Sequence, residues 1–493
     1  MLRILLISIF LVLPLVSINC SPLFILKETS FFTLQKDSSI YRKYSTARPS
    51  NRAFTSSAIE HCIDSVTHLL TNEKLAWMFS NCFPNTLDTT VKYRCLQNGD
   101  DDTFIITGDI PAMWLRDSGA QVWPYLRFVK KDLALRHLVR GVIRRQLRCI
   151  LIDPYANAFT ECPDSISPKW SNDYTEMRPG VFERKYELDS QCYPIRLAHA
   201  YWKETQDSSV FDSLWINAIE TILKTMRKQQ CKEGDNEYKF QRTTHAMHDT
   251  QSNYGLGHPA RPCGMIAQAF RPSDDCTIFP YNIPGNIMAG HSLAHAAEIL
   301  EKVNVNYKLA RECRQLSEEI KKGVETFGIV SHPHYGNIYA YEVDGYGGVL
   351  LMDDANIPSL LSLPYISDVA ISDSIYQNTR RFVWSTDNPY FFSGRAGEGI
   401  GGPHVGMHYI WPMSLIMRAL TSTDDKELII CLQSLLHTDG DTGFIHEAFH
   451  KDDSRRFTRS WFAWGNTLFG ELILKLIDEG KLNLLNSSIV ETK

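Results

Sequence analysis

Between residues 208 and 226, Phe211, Leu214, Trp215, Ala218, Ile219, Ile222, Leu223 and Met226 follow one another at steps of three and four. That spacing lays every apolar side chain on one wide face of a helix, so the segment must pack against something. Ser208 or Ser209 is available as its N-cap. The same stripe returns in Leu135, Leu138, Val139, Val142, Ile143, Leu147 and Ile150, and again in Leu309, Cys313, Leu316, Ile320 and Val324. Further helices are expected at 57–71, 190–203, 286–303, 411–420, 425–437 and 461–478. Between them run long stretches rich in Gly, Pro, Asp and aromatic residues, at 81–118, 153–189, 241–285, 331–362 and 384–410. Loops of that length in a compact domain are functional or carry short strands. The alternation predicts an all-α fold, a helical toroid with a loop-built site at one end. No β-α-β alternation, P-loop, dinucleotide-binding glycine motif or G-x-S-x-G elbow is present. No fixed-period repeat is visible either, although six helix pairs can repeat in structure without one.

Composition narrows the function classes. The 493 residues carry a formal net charge of −5, and 44% are hydrophobic and 22% charged, as in ordinary globular proteins. Nothing there attracts polyanions, so nucleic acid is not an expected partner. The one basic cluster, Arg140, Arg144, Arg145 and Arg148, sits at helical spacing opposite an apolar stripe and reads as a solvated helix face. The N-terminus, "MLRILLISIFLVLPLVSINCS", sets one Arg before roughly fifteen apolar residues interrupted by Pro14. It reads as a secretory signal over 1–20, with an uncleaved anchor as the rival. A linker over 21–45, a catalytic domain over 46–480 and a polar tail over 481–493 follow. A secreted or lumenal protein with no stable membrane insertion after signal cleavage is expected; Golgi and lysosome are both open. Of the twelve cysteines, Cys20 leaves with the signal or sits at its edge, which leaves an odd number in the mature chain; an oxidising lumen permits disulfides, but their pairing is not readable. The sequon Asn486-Ser487-Ser488 could carry a glycan.

Three segments carry chemistry. In "TGFIHEAFHKDD", residues 442–453, His446, Glu447 and His450 spell H-E-x-x-H, with Glu471 where a third zinc ligand could sit. That motif binds zinc only on a helix, and here Gly440, Gly443 and a charged run without an apolar stripe surround it. It reads instead as a loop presenting a carboxylate, or as a polar surface loop. In "FRPSDDCTIFPYNIPGN", residues 270–286, Asp274 and Asp275 adjoin in a proline-stiffened segment. Burial and like-charge proximity would raise one of them; a helix cap or calcium-type loop is the plainer alternative. In "TGDIPAMWLRDSGAQVWPY", 107–125, Asp109, Trp114, Arg116 and Asp117 cluster, as a sugar pocket or as a structural ion pair.

Together with "NCFPNTLDTTV" (81–91), "DPYANAF" (153–159), "ERKYELDSQCYP" (183–194), "LLMDDANIPSLLSLPY" (350–365), "YQNTRRF" (376–382), "IWPMSLIMRAL" (410–420) and "FTRSWFAWGNTLFGELI" (457–473), these segments resemble glycoside hydrolase family 125, the metal-independent exo-α-1,6-mannosidases. The likeness runs in order from about 47 to 478. It implies a six-hairpin α/α toroid, an inverting mechanism, no metal and no cofactor. Carried over residue by residue, it implies Asp274 as general acid and Glu447 as general base. Gln191, Gly465 and the "GGPHVG" of 401–406 depart from the family pattern at positions that bear on substrate fit. The terminal-mannose pocket is expected from Trp114, Arg116 and Asp117, supported by Glu187, Asp189, His404 and Trp464. Asp275 is expected to raise Asp274, and His446 or His450 to orient the base or its water. The expected substrate is a mannose-containing oligosaccharide or glycan. A glucoamylase-like hydrolase and an inactive sugar-binding relative are the alternatives.

Overall fold

Two kinds of helix alternate along the chain. The structure, a computed structural model, describes residues 46–167, 169–232 and 238–487. The expected signal, the expected linker and the end of the tail lie outside the described residues. Helices α1 (Ser57–Leu69) and α2 (Glu73–Cys82) lead to α3 (Leu115–Val122) and α4 (Leu133–Ile152). Then come α5 (Asp189–Thr205), α6 (Ser213–Lys228), α7 (Ile283–Ile299) and α8 (Tyr307–Phe327). The last are α9 (the single turn Leu363–Ile366), α10 (Ser374–Val383), α11 (Pro412–Leu420), α12 (Asp425–His437), α13 (Ala463–Asp478) and α14 (Leu482–Ser487). The odd-numbered helices from α3 to α13 form the inner ring: α3 packs on α5, α5 on α7, α7 on α9, and α11 on α13. The ring closes where α13 returns against α3. The even-numbered helices, with α1, lie outside as their partners, giving the six-hairpin α/α toroid.

The division follows from the residues. Outer helices carry one apolar stripe and a charged face; α4 buries Leu135, Leu138, Val139, Val142, Ile143, Leu147 and Ile150. Inner helices are buried all round, as every residue of α3 and the run Ala463–Gly470 of α13 show. Their first turns differ too. The outer helices start at side-chain caps: Ser56, Asn72, Asp132, Asp212, Asn306, Asp373 and Asp424 each accept from a first-turn N–H. Asp212, not Ser208 or Ser209, caps α6, because Val210 and Phe211 turn into the core before the helix begins. Of the inner helices, α7 alone has such a cap, Asn282; α3, α11 and α13 start instead at Trp114, Trp411 and Phe462.

The long loops contain short strands at one end of the ring. Three three-stranded antiparallel sheets share one plan. Met113–Trp114, Tyr281–Asn282 and Tyr409–Ile410 each run into an inner helix, α3, α7 or α11. Each pairs with a strand that follows the next outer helix: Ala158–Phe159, Glu342–Val343 or Ala448–His450. The structural repeat without a sequence repeat is therefore real, and it recurs three times.

Two expectations change. The arginines of α4 do not face solvent. They dock on the hairpin Val91–Cys95/Asp101–Ile105. Arg140 Nε lies 2.5 Å from Asp101, Arg144 Nε 2.5 Å from Asp100, and Arg145 Nη2 2.7 Å from Asp102. Arg94 and Arg148 also reach Asp102, at 2.8 and 3.1 Å. Gly141 permits this approach, since a Cβ there would meet Thr103 Oγ1 at 2.3 Å. The polar tail also begins later than expected. Leu484 and Leu485 of α14 are buried, and Asn486 ties to Leu69 O and Thr71 N. The eleven cysteines among the described residues are unpaired, and no described helix is long and apolar enough to cross a membrane.

Removing a partner from a buried ion pair strands the opposite charge and costs about 3–5 kcal/mol. Asp102→Ala is expected to lower stability on that scale, because it orphans the buried Arg145. Chemical denaturation measures it, with Lys321→Ala on the exposed face of α8, expected within about 0.5 kcal/mol, as control.

Candidate active site

The H-E-x-x-H segment is not helical. Ala448–His450 is the middle strand of a sheet, and residues 445–447 are irregular. In extended chain, four residues separate two imidazoles by about 13 Å, so His446 and His450 do not converge on one ion. His446 is buried, stacked on Phe457 at 3.7 Å, with its ring nitrogens 2.9 Å from Asp439 O and 3.2 Å from Arg459 O. Burial lowers its pKa. It anchors the segment and is not placed to orient a water. Glu471 accepts from Tyr365 at 2.8 Å. Among the described residues no group of three His, Cys, Asp or Glu is placed to hold a metal. What the segment offers is Glu447.

Glu447 and Asp274 line the same pocket, about 270 Å³ in volume, with Trp114, Arg116, Asp117, His404 and Trp464. Seven of the expected site residues thus come together. Its floor is the N-terminal end of the inner ring: Trp114, Trp411 and Phe462, the N-cap residues of α3, α11 and α13, all reach it. Glu187, Asp189, Asp275 and His446 are not on the wall; they are buried behind it. Charged and aromatic side chains share this wall, Arg116, Asp117 and His404 beside Trp114, Trp411 and Trp464, a mixture that suits the hydroxyls and the apolar face of a sugar.

Asp274 is presented by a tight turn. Arg271 N donates to Asp275 O at 2.7 Å, and Asp274 N to Arg271 O at 3.0 Å. Asp274 itself sits at φ +67°, a left-handed conformation that costs energy in a residue other than glycine. Its neighbours over-determine it: Arg271 grips Glu342 through two hydrogen bonds of 2.6 and 3.1 Å, and Lys185 Nζ donates to Asp274 O at 2.8 Å. Asp274 Oδ1 receives Trp114 Nε1 at 3.3 Å and Asn157 Nδ2 at 3.2 Å.

Behind it stands Arg116. Its guanidinium lies 2.6 Å from Glu187, 3.3 Å from Asp189, 3.4 Å from Asp117 and 3.6 Å from Asp274. One cation cannot hold four carboxylates ionised, so protons must stay. Burial lifts Glu187 well above the usual range, against Arg116 and with the charge of Asp274 adding. Burial likewise lifts Asp189 to about 6, against Arg116, and raises Asp117. Asp274 goes the other way. Burial pushes it up, but its hydrogen bond with Glu187 and the charges of Lys185, Arg116 and His404 hold it well below the ordinary range. Asp275 does not raise it, contrary to expectation: the Asp275 carboxyl turns to His404 Nδ1 at 3.2 Å and Ser273 Oγ at 3.3 Å. In return His404, despite its burial, is raised to about 9 by its hydrogen bond to Asp275 and by the charges of Asp275, Asp274 and Glu447.

Glu447 is set differently. Its side chain is 10% exposed, and its one charged contact is Arg459 Nη1 at 3.4 Å. Arg459 also donates to Asp109 at 2.9 Å and to Thr107 O at 2.9 Å. Ile445 N donates to Asn466 of α13 at 2.8 Å, which fixes the loop just before the base. Arg459, Asn157, Lys185 and Trp411 are site residues that motif reading passed over. They lie within or beside the quoted segments, but nothing in their spacing marks them.

Comparison with known proteins agrees with this geometry. The sequence model of the family described as "Metal-independent alpha-mannosidase (GH125)" matches residues 72–474. A curated relative from Schizosaccharomyces pombe, the meiotically up-regulated gene 157 protein, is 41% identical over 453 residues, 89% of each chain. A solved metal-independent α-mannosidase from Streptococcus pneumoniae, in a non-productive complex with α-1,6-mannobiose, superposes with a TM-score of 0.83 at 38% identity, covering 86% of this chain and 99% of that one. A bacterial glucoamylase complexed with acarbose shares the fold alone, with a TM-score of 0.51 at 12% identity over 88% of this chain and 58% of that one. The chain belongs to glycoside hydrolase family 125, the metal-independent α-mannosidases.

Proposed function

We propose that this α-mannosidase is exo-acting and inverting, and removes terminal α-1,6-linked mannose from oligosaccharides or glycans. Asp274 is the general acid and Glu447 the general base. The observation that carries the reading is one pocket lined by both carboxylates, with Arg459 beside Glu447 and with Arg116, and Asn157 shared with Glu187, beside Asp274. An inverting enzyme needs about 6.5–9.5 Å between its carboxyl groups, room for the attacking water. Glu447, beside the fixed cation of Arg459, is the group that takes the water's proton. Asp274 faces the leaving oxygen, with Trp114 and Arg116 holding it in place. Trp114, Trp411 and Trp464 then wall the terminal sugar, with Arg116, Asp117 and His404 at the pocket's polar side. A volume near 270 Å³ lies at the small end of ligand pockets, about 300–1,000 Å³, and suits a chain end more than a chain interior. The α-1,6 linkage is supported by the disaccharide bound to the Streptococcus relative. The apolar N-terminal run supports a secretory-pathway enzyme; secretion of the full chain with its first twenty residues removed tests that.

Glu447→Gln and Asp274→Asn are each expected to lower kcat on α-1,6-mannobiose by about 10²–10⁴-fold with the fold intact by circular dichroism. Near-normal turnover in either would remove that residue from its role. Proton NMR of the wild-type reaction should show β-mannose first, and maltose should release no glucose. His404 gives a pH prediction. Its folded pKa is raised from the usual value of about 6.5 to about 9. Its pairing with Asp275 is therefore fully present below about pH 6.5 and lost as pH rises through about 9. The stability difference between wild type and His404→Asn should be largest near pH 6 and shrink toward pH 10, as thermal unfolding at the two pH values will show.

A further inference from the structure

We infer that Glu187 acts through Asp274, as the store from which the general acid receives its proton. The inference rests on the mannosidase reading and deepens it. Glu187 is not on the pocket wall, and its side chain is fully buried. It touches no substrate, so it is a positioning residue. It nevertheless converges on Asp274: Asn157 Nδ2 lies 3.3 Å from Glu187 Oε1 and 3.2 Å from Asp274 Oδ1. Arg116 reaches both through its two terminal nitrogens, so the two carboxyl groups share one amide donor and one cation. Ionised carboxylates only accept, and two held this close to one guanidinium can bond to each other only with a proton on one of them.

The groups around the pair decide where the proton rests. Arg116 and Asp117 face it from α3, Asp189 and Ser190 from α5, and Glu183 and Lys185 from the segment that leads into α5. Asp275 and His404 stand on the far side of Asp274. Asp274 keeps 21% of its side chain exposed and has Lys185 and Arg116 beside it, whereas Glu187 has none exposed. Before substrate binds, the proton therefore sits on Glu187 and Asp274 is ionised, which is the wrong form for an acid. A sugar over Asp274 removes its remaining solvent and raises its proton affinity toward that of Glu187. As the glycosidic C–O bond breaks, Asp274 delivers a proton to the leaving oxygen and Glu187 O–H delivers one to Asp274. Glu187 ends ionised beside Arg116, and Glu447 holds the proton taken from the attacking water. Exchange with solvent returns both carboxylates to their starting state.

Glu187→Gln keeps the size and the hydrogen bonds but has no acid to give. It is compared with wild type on α-1,6-mannobiose, whose leaving alcohol needs a proton, and on α-mannosyl fluoride, whose leaving fluoride needs little help. The variant should lose at least about tenfold more kcat on mannobiose than on the fluoride, at the lower end of general-acid effects, with KM little changed. Its alkaline limb on mannobiose should move to lower pH, because Asp274 must then hold the proton alone. Equal losses on both substrates, or an unmoved limb, would overturn the inference. If Glu187→Gln does not fold, Glu187→Asp, which withdraws the acid by one methylene, carries the same comparison with the same two outcomes. A wild-type chain that hydrolyses neither substrate would sink the mannosidase reading first; an active wild type with evenly slowed variants sinks only the role of Glu187.

Discussion

Everything at the site turns on the arrangement in which Arg116 meets Glu187, Asp189, Asp117 and Asp274 at once. A guanidinium that faces four carboxyl groups cannot neutralise them all, and the toroid buries the cluster so that water cannot either. The chain has to keep protons there. That shortage of positive charge makes acid chemistry possible beside a pocket at neutral pH. It also explains why so many residues around the cluster are fixed rather than mobile. Lys185 is tied to Asp249 and to Asp274 O, Arg271 to Glu342, and Asn157 to Glu183, Glu187 and Asp274 at once. Each loose polar group in such a place would be an unpaired one.

The toroid supplies that burial through its two classes of helix start. Outer helices end in water and use Ser, Asn or Asp to satisfy their first N–H groups. Inner helices α3, α11 and α13 begin at aromatic residues that form the pocket instead. The short strands that precede α3 and α11 hold these starts in line, since Trp114 pairs with Ala158 and Ile410 with Phe449. The same sheets place the next functional residue: Asn157 stands just before Ala158, and Glu447 just before Ala448. One strand-to-helix plan, used around the ring, thus brings residues more than three hundred positions apart to one cavity.

Which parts of this were legible follows from the same division. The outer helices show their stripe in sequence because one face is wet, and α4, α6 and α8 are where the spacing puts them. Inner helices α5, α7, α11 and α13 also lie where helices were expected, whereas α3, buried on every side, begins inside the stretch read as loop; the aromatic starts of α3, α11 and α13 break the usual capping rule. The arginines of α4 misled for a related reason. Their spacing opposite an apolar face is right for solvent, and only the fold reveals that Asp100, Asp101 and Asp102 arrive from another segment to meet them. Asp274 and Glu447 were named through family resemblance, and the fold brings both to one pocket. Glu187 and Asp189 were named as sugar contacts but stand behind the wall, because sequence gives proximity along the chain and not depth. Arg459 was missed because a lone Arg after a strand has no distinctive spacing; its left-handed φ of +46° appears only in three dimensions.

Two carboxyl groups in one pocket are chemically useful only when something makes them unequal. Here the inequality is not in their burial, since both are mostly covered. It lies in what stands behind them. Glu447 lies beside Arg459, which Asp109 and the carbonyl of Thr107 hold in place. Asp274 has a second carboxyl at its back and shares its donors with it. The first setting fixes a carboxyl oxygen beside the space for water. The second leaves a proton free to move by one hydrogen bond. The asymmetry that a base and an acid require is therefore written one layer behind the pocket wall, in Arg459 on one side and Glu187 on the other.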